Sequence, residues 1–116
     1  MNATFEPFPD AVVCLVTAPQ PNAHAIGATI VERELAACVN IVPRVQSIYR
    51  WEGKVQEDGE ALLVIKTTRT AVASLEALLS TIHPFDTFEL VALDVVAGAH
   101  AYLQWVGRSV APGSRS

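Results

Sequence analysis

The 116-residue chain has few of the features by which a sequence usually reveals its chemistry. It has only two cysteines, Cys14 and Cys38, with no Cys-x-x-Cys spacing. Both lie in apolar runs, where reduced and buried thiols are predicted. The sequence shows no Gly-rich phosphate loop, nucleophile–base pair, paired catalytic carboxylates or EF-hand loop. It therefore gives no support for an enzyme.

Basic residues are also scarce. The chain has 8 Lys and Arg against 12 Asp and Glu, giving a net charge of −4, and the basic residues are scattered. A nucleic-acid-binding protein normally has a basic stripe, so we expect no nucleic-acid partner. No apolar stretch approaches the roughly 20 residues that cross a bilayer, so no membrane partner is expected. Residues 1–10 do not resemble a secretory signal, and the expected location is cytoplasmic.

Apolar residues are abundant, at 51% of the chain, whereas charged residues make up only 17%. A chain of this length forms one domain with a sizeable core. We predict a single domain over residues 11–110, preceded by an N-terminal extension over residues 1–10. Residues 111–116 are predicted to form a flexible tail.

A long hairpin is predicted in the middle of the chain. Residues 38–51 have the pattern of one strand, in which Pro43 indicates an edge position or a bulge. A tight turn follows, and Gly53 supplies the positive φ that such a turn usually needs. Residues 60–68 form the returning strand.

Periodicity and end signals predict the remaining elements. They are a strand over Ala11–Ala18, a helix from an Asn22 N-cap to about Glu34, a helix capped by Thr70 and ended by His83-Pro84, a strand over Glu89–Ala97, and a short helix with Tyr102, Trp105 and Val106 on one face. The order is βαββαβ plus a C-terminal helix. This order predicts an α+β, ferredoxin-like sandwich.

Three of the predicted strands are apolar on both faces: Val12–Val16, Leu62–Ile65 and Leu90–Leu93. In a ferredoxin-like fold the helices cover one face of the sheet, so a strand that is apolar on both faces needs a second cover. We expect other copies of the chain to provide it, which makes the protein an obligate oligomer.

Several motifs follow one another along the chain: Leu35-Ala36-Ala37-Cys38-Val39-Asn40-Ile41, Tyr49-Arg50-Trp51-Glu52-Gly53-Lys54, Ile65-Lys66-Thr67-Thr68, His83-Pro84-Phe85 with Glu89, and Tyr102 to Trp105. Together they resemble the motifs of the CutA divalent-cation tolerance proteins. The resemblance covers about Val12 to Val110. It implies a PII-like homotrimer in which long hairpins extend to neighbouring subunits. It also implies a cytoplasmic, non-enzymatic protein associated with tolerance to copper and other divalent metals.

The chain departs from the family pattern at four positions. Phe85 and Phe88 stand where the family usually has a tyrosine and a proline, so any role that needs the phenolic hydroxyl is absent. Val16 and Leu78 stand where relatives can have a further cysteine. These residues argue against a multi-cysteine copper site.

The resemblance makes Cys38 and His83 the candidate metal ligands. Thiolate and imidazole are ligands that copper favours, and Cu²⁺ is the candidate metal, although folding is not expected to require it. Cys38 has the alternative role of a small buried apolar residue. His83 could instead lie at a helix C-terminus, where a partly positive imidazole is favoured.

A second candidate site combines Tyr49, Trp51, Lys66 and Glu89. Tyr49 and Trp51 lie on one face of their strand, and in a trimer whose hairpins cross between subunits they could meet Lys66 and Glu89 in an intersubunit cleft. Such a cleft could bind a small anion or a metal complex. The alternative is a structural salt bridge beneath aromatic side chains.

Together with the resemblance, the sequence predicts a metal-binding trimer. The second hypothesis is a PII-like adaptor that binds a small molecule.

Overall fold

The computed structural model describes residues 3–4 and 10–111. Its elements, in chain order, are β1 (Ala3–Thr4), β2 (Ala11–Ala18), α1 (Gln20–Glu32), β3 (Cys38–Trp51), β4 (Lys54–Thr68), a 3₁₀ turn (Arg69–Ala71), α2 (Val72–Ile82), β5 (Val91–Asp94), β6 (Gly98–Ala99) and α3 (His100–Ser109). Strands β3-β4-β2-β5, in that spatial order, form an antiparallel sheet. The predicted α+β, ferredoxin-like arrangement is confirmed.

The core lies between one face of this sheet and helices α1 and α2. The sheet contributes alternate residues of β2 and β4, among them Cys14, Leu63 and Ile65, which are fully buried. From the helices, Ile30 and Leu79 pack onto them. Successive strand residues point to opposite faces, so only half of the apolar side chains of these strands can reach this core.

The second strand of the central hairpin is longer than predicted, and so is the hairpin. β4 begins at Lys54, six residues before the predicted start at Glu60. The turn has positive φ at both Glu52 (50°) and Gly53 (79°), as a two-residue hairpin loop of type I′ requires. The predicted interruption near Pro43 is confirmed as a register shift between Val42 and Val45. Beyond that shift, residues 45–60 form a two-stranded segment that β2 does not reach, which we call the ribbon.

Both predicted helix caps are wrong. α1 begins at Gln20, and Asn22 lies in its first turn, where its N–H donates to the carbonyl of Pro19. Proline at an early helical position already fixes a helical φ, which explains the earlier start. The second helix is preceded by the 3₁₀ turn, and Thr70 lies inside that turn instead of capping α2.

The C-terminal elements also differ in detail. β5 covers only Val91–Asp94 of the predicted strand over Glu89–Ala97. In α3 the buried residues are Leu103 and Val106, whereas Tyr102 and Trp105 are exposed. The predicted common face of Tyr102, Trp105 and Val106 is therefore only partly buried, because Val106 alone of the three lies in the interior. Two adjacent stripes of the helix each have i, i+3 spacing, and the aliphatic stripe packs inward.

Part of the predicted N-terminal extension joins the fold, because Ala3–Thr4 pairs with Gly98–Ala99. Residues 1–2 and 5–9, and residues 112–116 of the predicted flexible tail, lie outside the described residues. Among the helices that are described, none combines the length and apolar character that a bilayer crossing needs.

The sheet face opposite the helices is apolar and only partly covered. We call it the open face; strand register places on it Val13, Leu15, Thr17, Cys38, Asn40, Val42, Leu62, Val64, Lys66, Val91 and Leu93. Its central residues, such as Leu15 and Val64, are half-buried, while Leu93 at the edge is 48% exposed. The chain therefore covers one of its two apolar faces, as the sequence predicted.

Candidate functional site

Polar side chains gather at one end of the open face. Cys38 on β3 lies directly opposite Lys66 on β4. Lys66 Nζ donates a hydrogen bond to Asn40 Oδ1, and the Cys38 thiol lies 3.8 Å from the same oxygen. Burial, and then the nearby Cys38 sulfur, raise the pKa of Tyr102 on α3. Cys38, Asn40 and Lys66 thus form one connected polar cluster on a mainly apolar face.

The two cysteines differ in their surroundings. Cys14 lies in the core with no exposed surface, and burial raises its pKa from 9.0 to about 11. This residue is the buried thiol that the sequence predicted. Cys38 is only half-buried, so its predicted full burial is wrong for the single chain. Its position on the open face, opposite a lysine, explains the difference.

His83 holds the loop after α2 against strand β2. The ring is 8% exposed, its Nε2 lies 2.8 Å from the carbonyl oxygen of Thr17, and its Nδ1 accepts a hydrogen bond from the N–H of Phe85 at 3.1 Å. The Nδ1 acceptor role fixes the tautomer, so Nε2 carries the proton and donates to Thr17. Both ring nitrogens are therefore engaged within the chain.

The two phenylalanines that depart from the family pattern pack around His83. The Phe88 ring stacks on the imidazole with a centroid distance of 5.2 Å and an interplanar angle of 26°, and the Phe85 ring lies at the same distance but tilted by 51°. Phe88 also packs against the main core. These contacts indicate a structural role for His83 in fixing the loop.

Glu89 lies beside His83, although the sequence placed the two residues in different sites. Glu89 Oε1 accepts a hydrogen bond of 3.5 Å from Thr17 Oγ1, while His83 is bonded to the carbonyl of the same threonine. Thr17 therefore links the two candidates. The loop between α2 and β5, whose path the sequence did not predict, brings His83 and Glu89 together.

Tyr49 and Trp51 lie on the ribbon, far from the other members of their predicted set. The Tyr49 hydroxyl donates to Asp58, and this hydrogen bond raises the pKa of the phenol. Trp51 is 50% exposed and lies opposite Lys54. Along β4, Lys54 and Lys66 are separated by about 40 Å at the usual strand rise. One chain therefore does not assemble the predicted cleft.

Cys38 and His83 are also apart. His83 is bonded to the carbonyl oxygen of Thr17 on β2. Thr17 lies two strands away from Cys38 and four residues further along, which at the usual strand dimensions is a distance of about 15 Å. Residues 10–111 contain no group of three or more His, Cys, Asp or Glu side chains that could hold a metal ion. A metal site built from Cys38 and His83 together is therefore absent within a single chain.

Sequence reasoning missed a second charged site at the base of the ribbon. Glu60 is buried at 8% exposure, and Arg44 lies beside it in the β3 bulge with a φ of 59°. Both residues line one cavity. The only sequence signal was the break at Pro43, which predicts a bulge but not the side chains that the bulge redirects.

Comparison with known proteins gives consistent matches. A family model described as "CutA1 divalent ion tolerance protein" matches residues 12–109. The divalent-cation tolerance protein CutA of Thermus thermophilus is 46% identical over 81% of this chain and 92% of its own length. The human protein CutA is 45% identical over 78% of this chain, and the match spans only 51% of that protein.

Solved structures agree with the sequence matches. The Thermus thermophilus divalent cation tolerance protein superposes with a TM-score of 0.85 at 43% identity, covering 87% of this chain and 99% of that one. A protein described as PII-like CutA from Nostoc superposes with a TM-score of 0.81 at 27% identity, covering 87% of this chain and 98% of that one.

Proposed function

This chain belongs to the CutA1 divalent ion tolerance family, and on that premise we propose that it works as a non-enzymatic homotrimer that binds divalent metal ions. The single observation that carries the proposal is the open face. Eleven residues of one sheet face, seven of them aliphatic, lie on the side opposite the core to which α1 and α2 contribute. Burying apolar surface contributes about 25 cal/mol per Å², so covering this face stabilises an assembly.

The metal-binding part of the proposal requires ligands from more than one chain. Cys38 offers a thiolate on the open face, where copies of the chain would meet, and soft thiolate ligands select copper. His83 offers an imidazole only if the hydrogen bond from Phe85 N–H to Nδ1 is released. Cys38 is for this reason the stronger candidate of the two. The assembly would work in the cytoplasm.

Copper titration by calorimetry tests this proposal. The wild-type protein should release heat on Cu²⁺ addition, and Cys38→Ser should lose most of it because the thiolate is removed. His83→Gln should have the smaller effect. His24→Gln, which removes an exposed imidazole on α1, is the matched control and should bind as the wild type does. Equal and negligible heats in all four proteins would contradict metal binding.

A second function is favoured by the ribbon. Tyr49 and Trp51 expose aromatic surface far from the chain's own core, Lys66 lies near the other end of β4, and Glu89 is hydrogen-bonded to Thr17 near the base of the ribbon. If ribbons reach neighbouring subunits, these residues could form an intersubunit cleft for a small molecule, and the Nostoc relative is described as PII-like. A metabolite that raises the melting temperature of the wild type but not of Lys66→Gln would support this function over metal binding.

A further inference from the structure

A cavity of about 340 Å³ opens at the base of the ribbon, where the β3 bulge meets the start of α1. We call it the Glu60 cavity. Its lining comes from a single chain and consists of Gln20, Arg44, Val45, Gln46, Gly59 and Glu60. The volume lies in the range typical of small-molecule pockets.

Glu60 is the unusual member of this lining. More than nine-tenths of the residue is buried, yet no hydrogen bond or ion pair reaches its carboxylate from residues 10–111. No fully buried side-chain oxygen in that range lacks a partner, so the unpartnered carboxylate oxygens keep some accessible surface, in a residue that lines the cavity. The small exposed area of Glu60 limits the hydration of its carboxylate, and a cation bound at this position would supply the missing partner.

Arg44 supplies the opposite charge on the same cavity without neutralising Glu60. Its backbone N–H donates to Gln20 Oε1 at 2.9 Å, which fixes the bulge to the first residue of α1. Its guanidinium forms no ion pair with Glu60 within 4.0 Å. The N-terminus of the 13-residue helix α1 adds a partial positive charge on this side. The cavity thus has one acidic and one basic residue in its lining, beside the N-terminus of α1.

This separation of charge selects the chemical class of the ligand. A hard metal ion needs several oxygen ligands, and among the described lining residues Glu60 is the only acidic one. An organic ammonium needs only one carboxylate. We propose that the Glu60 cavity binds a small zwitterion of the α-amino-acid type, with its ammonium group on Glu60 and its carboxylate toward Arg44 and the N-terminus of α1. The half-buried side chain of Val45 offers apolar contact for the rest of the ligand.

The test is a melting-temperature screen of the full chain against the twenty protein amino acids, each added singly, followed by calorimetry on any that bind. At least one should raise the melting temperature of the wild type. Glu60→Gln should abolish that shift, and Arg44→Gln should weaken binding about tenfold, as expected for the loss of one charge-assisted contact. Glu76→Gln, the same change at an exposed position on α2, should leave the shift intact.

Chemical variants of the binding amino acid test its proposed orientation. Its N-acetyl derivative, which lacks the ammonium group, should not bind. Its methyl ester, which lacks the carboxylate, should bind to the wild type as weakly as the unmodified amino acid binds to Arg44→Gln. The absence of any shift in the wild type would overturn the proposal, as would a shift that survives in Glu60→Gln. Suppose that no amino acid affects the wild type and that the Glu60→Gln protein dissociates in sedimentation. The positive group that pairs with Glu60 would then come from a second copy of the chain. Because one chain lines the cavity, failure here leaves the metal-binding proposal untouched.

Discussion

Cys14 and His83 show how burial acts on individual side chains. Cys14 has no exposed surface and is packed among core residues, so its neutral thiol is the stable form. His83 is almost as buried, but hydrogen bonds with Thr17 and Phe85 satisfy both of its nitrogens. The sequence identified both residues. It could not predict which of the two side chains would find hydrogen-bond partners, because the partners of His83 come from a distant strand and an irregular loop.

The buried thiol makes stability depend on pH in the alkaline range. The pKa of Cys14 rises from 9.0 to about 11 on folding, so the contribution of the neutral thiol is complete below pH 9 and is lost as the pH rises toward 11. Two units correspond to about 3 kcal/mol. Guanidinium unfolding at fixed protein concentration should therefore show wild type losing up to about 3 kcal/mol more than Cys14→Ala over this range. Parallel losses in both proteins would contradict this account.

At the scale of elements, the hairpin was the most predictable part, whereas the exact ends of strands and helices were the least predictable. Alternation and Gly53 identified two strands and a tight turn, and the break at Pro43 identified the bulge. The start of β4 was missed because its first six residues are mostly polar, as expected for strands without a core beneath them. The cap of α1 was missed because Pro19 and Pro21 fixed its start, so that no side-chain cap was needed. The cap of α2 was missed because a 3₁₀ turn that contains Thr70 precedes this helix.

Two glycines on the hairpin separate backbone conformation from packing. An added Cβ would meet open space at both Gly53 and Gly59, but only Gly53 has a positive φ, of 79°. Gly53→Ala should cost about 1 kcal/mol of unfolding free energy because an L-residue is strained in that conformation. Gly59→Ala should be neutral or slightly stabilising. Chemical denaturation of both variants provides the measurement, and equal effects would rule out turn strain as the cause.

At the scale of the whole molecule, the open face connects the fold to the proposed function. The sequence predicted it correctly, since strands that are apolar on both faces can be recognised without knowing their neighbours. The candidate sites were less predictable. Tyr49, Trp51, Lys66 and Glu89 are spread over a molecule 46 Å long, and only contacts between copies could bring them together.

A charge placed on the open face should disrupt the assembly. Val64 lies on β4 between Leu15 and Asn40 in the sheet register. In Val64→Lys an unpaired ammonium would enter the proposed interface, and the loss of association free energy should be about 3–5 kcal/mol. Val31→Lys adds the same charge to the exposed side of α1 and is the matched control. Equal association of the two variants would show that the open face is not the interface.

The central claim is that copies of this chain cover the open face. Sedimentation equilibrium of the wild-type protein at micromolar concentration tests it most directly. A homotrimer gives a mass three times the 12.5 kDa of one chain, with folded secondary structure. A folded species of 12.5 kDa that persists at this concentration would contradict the claim.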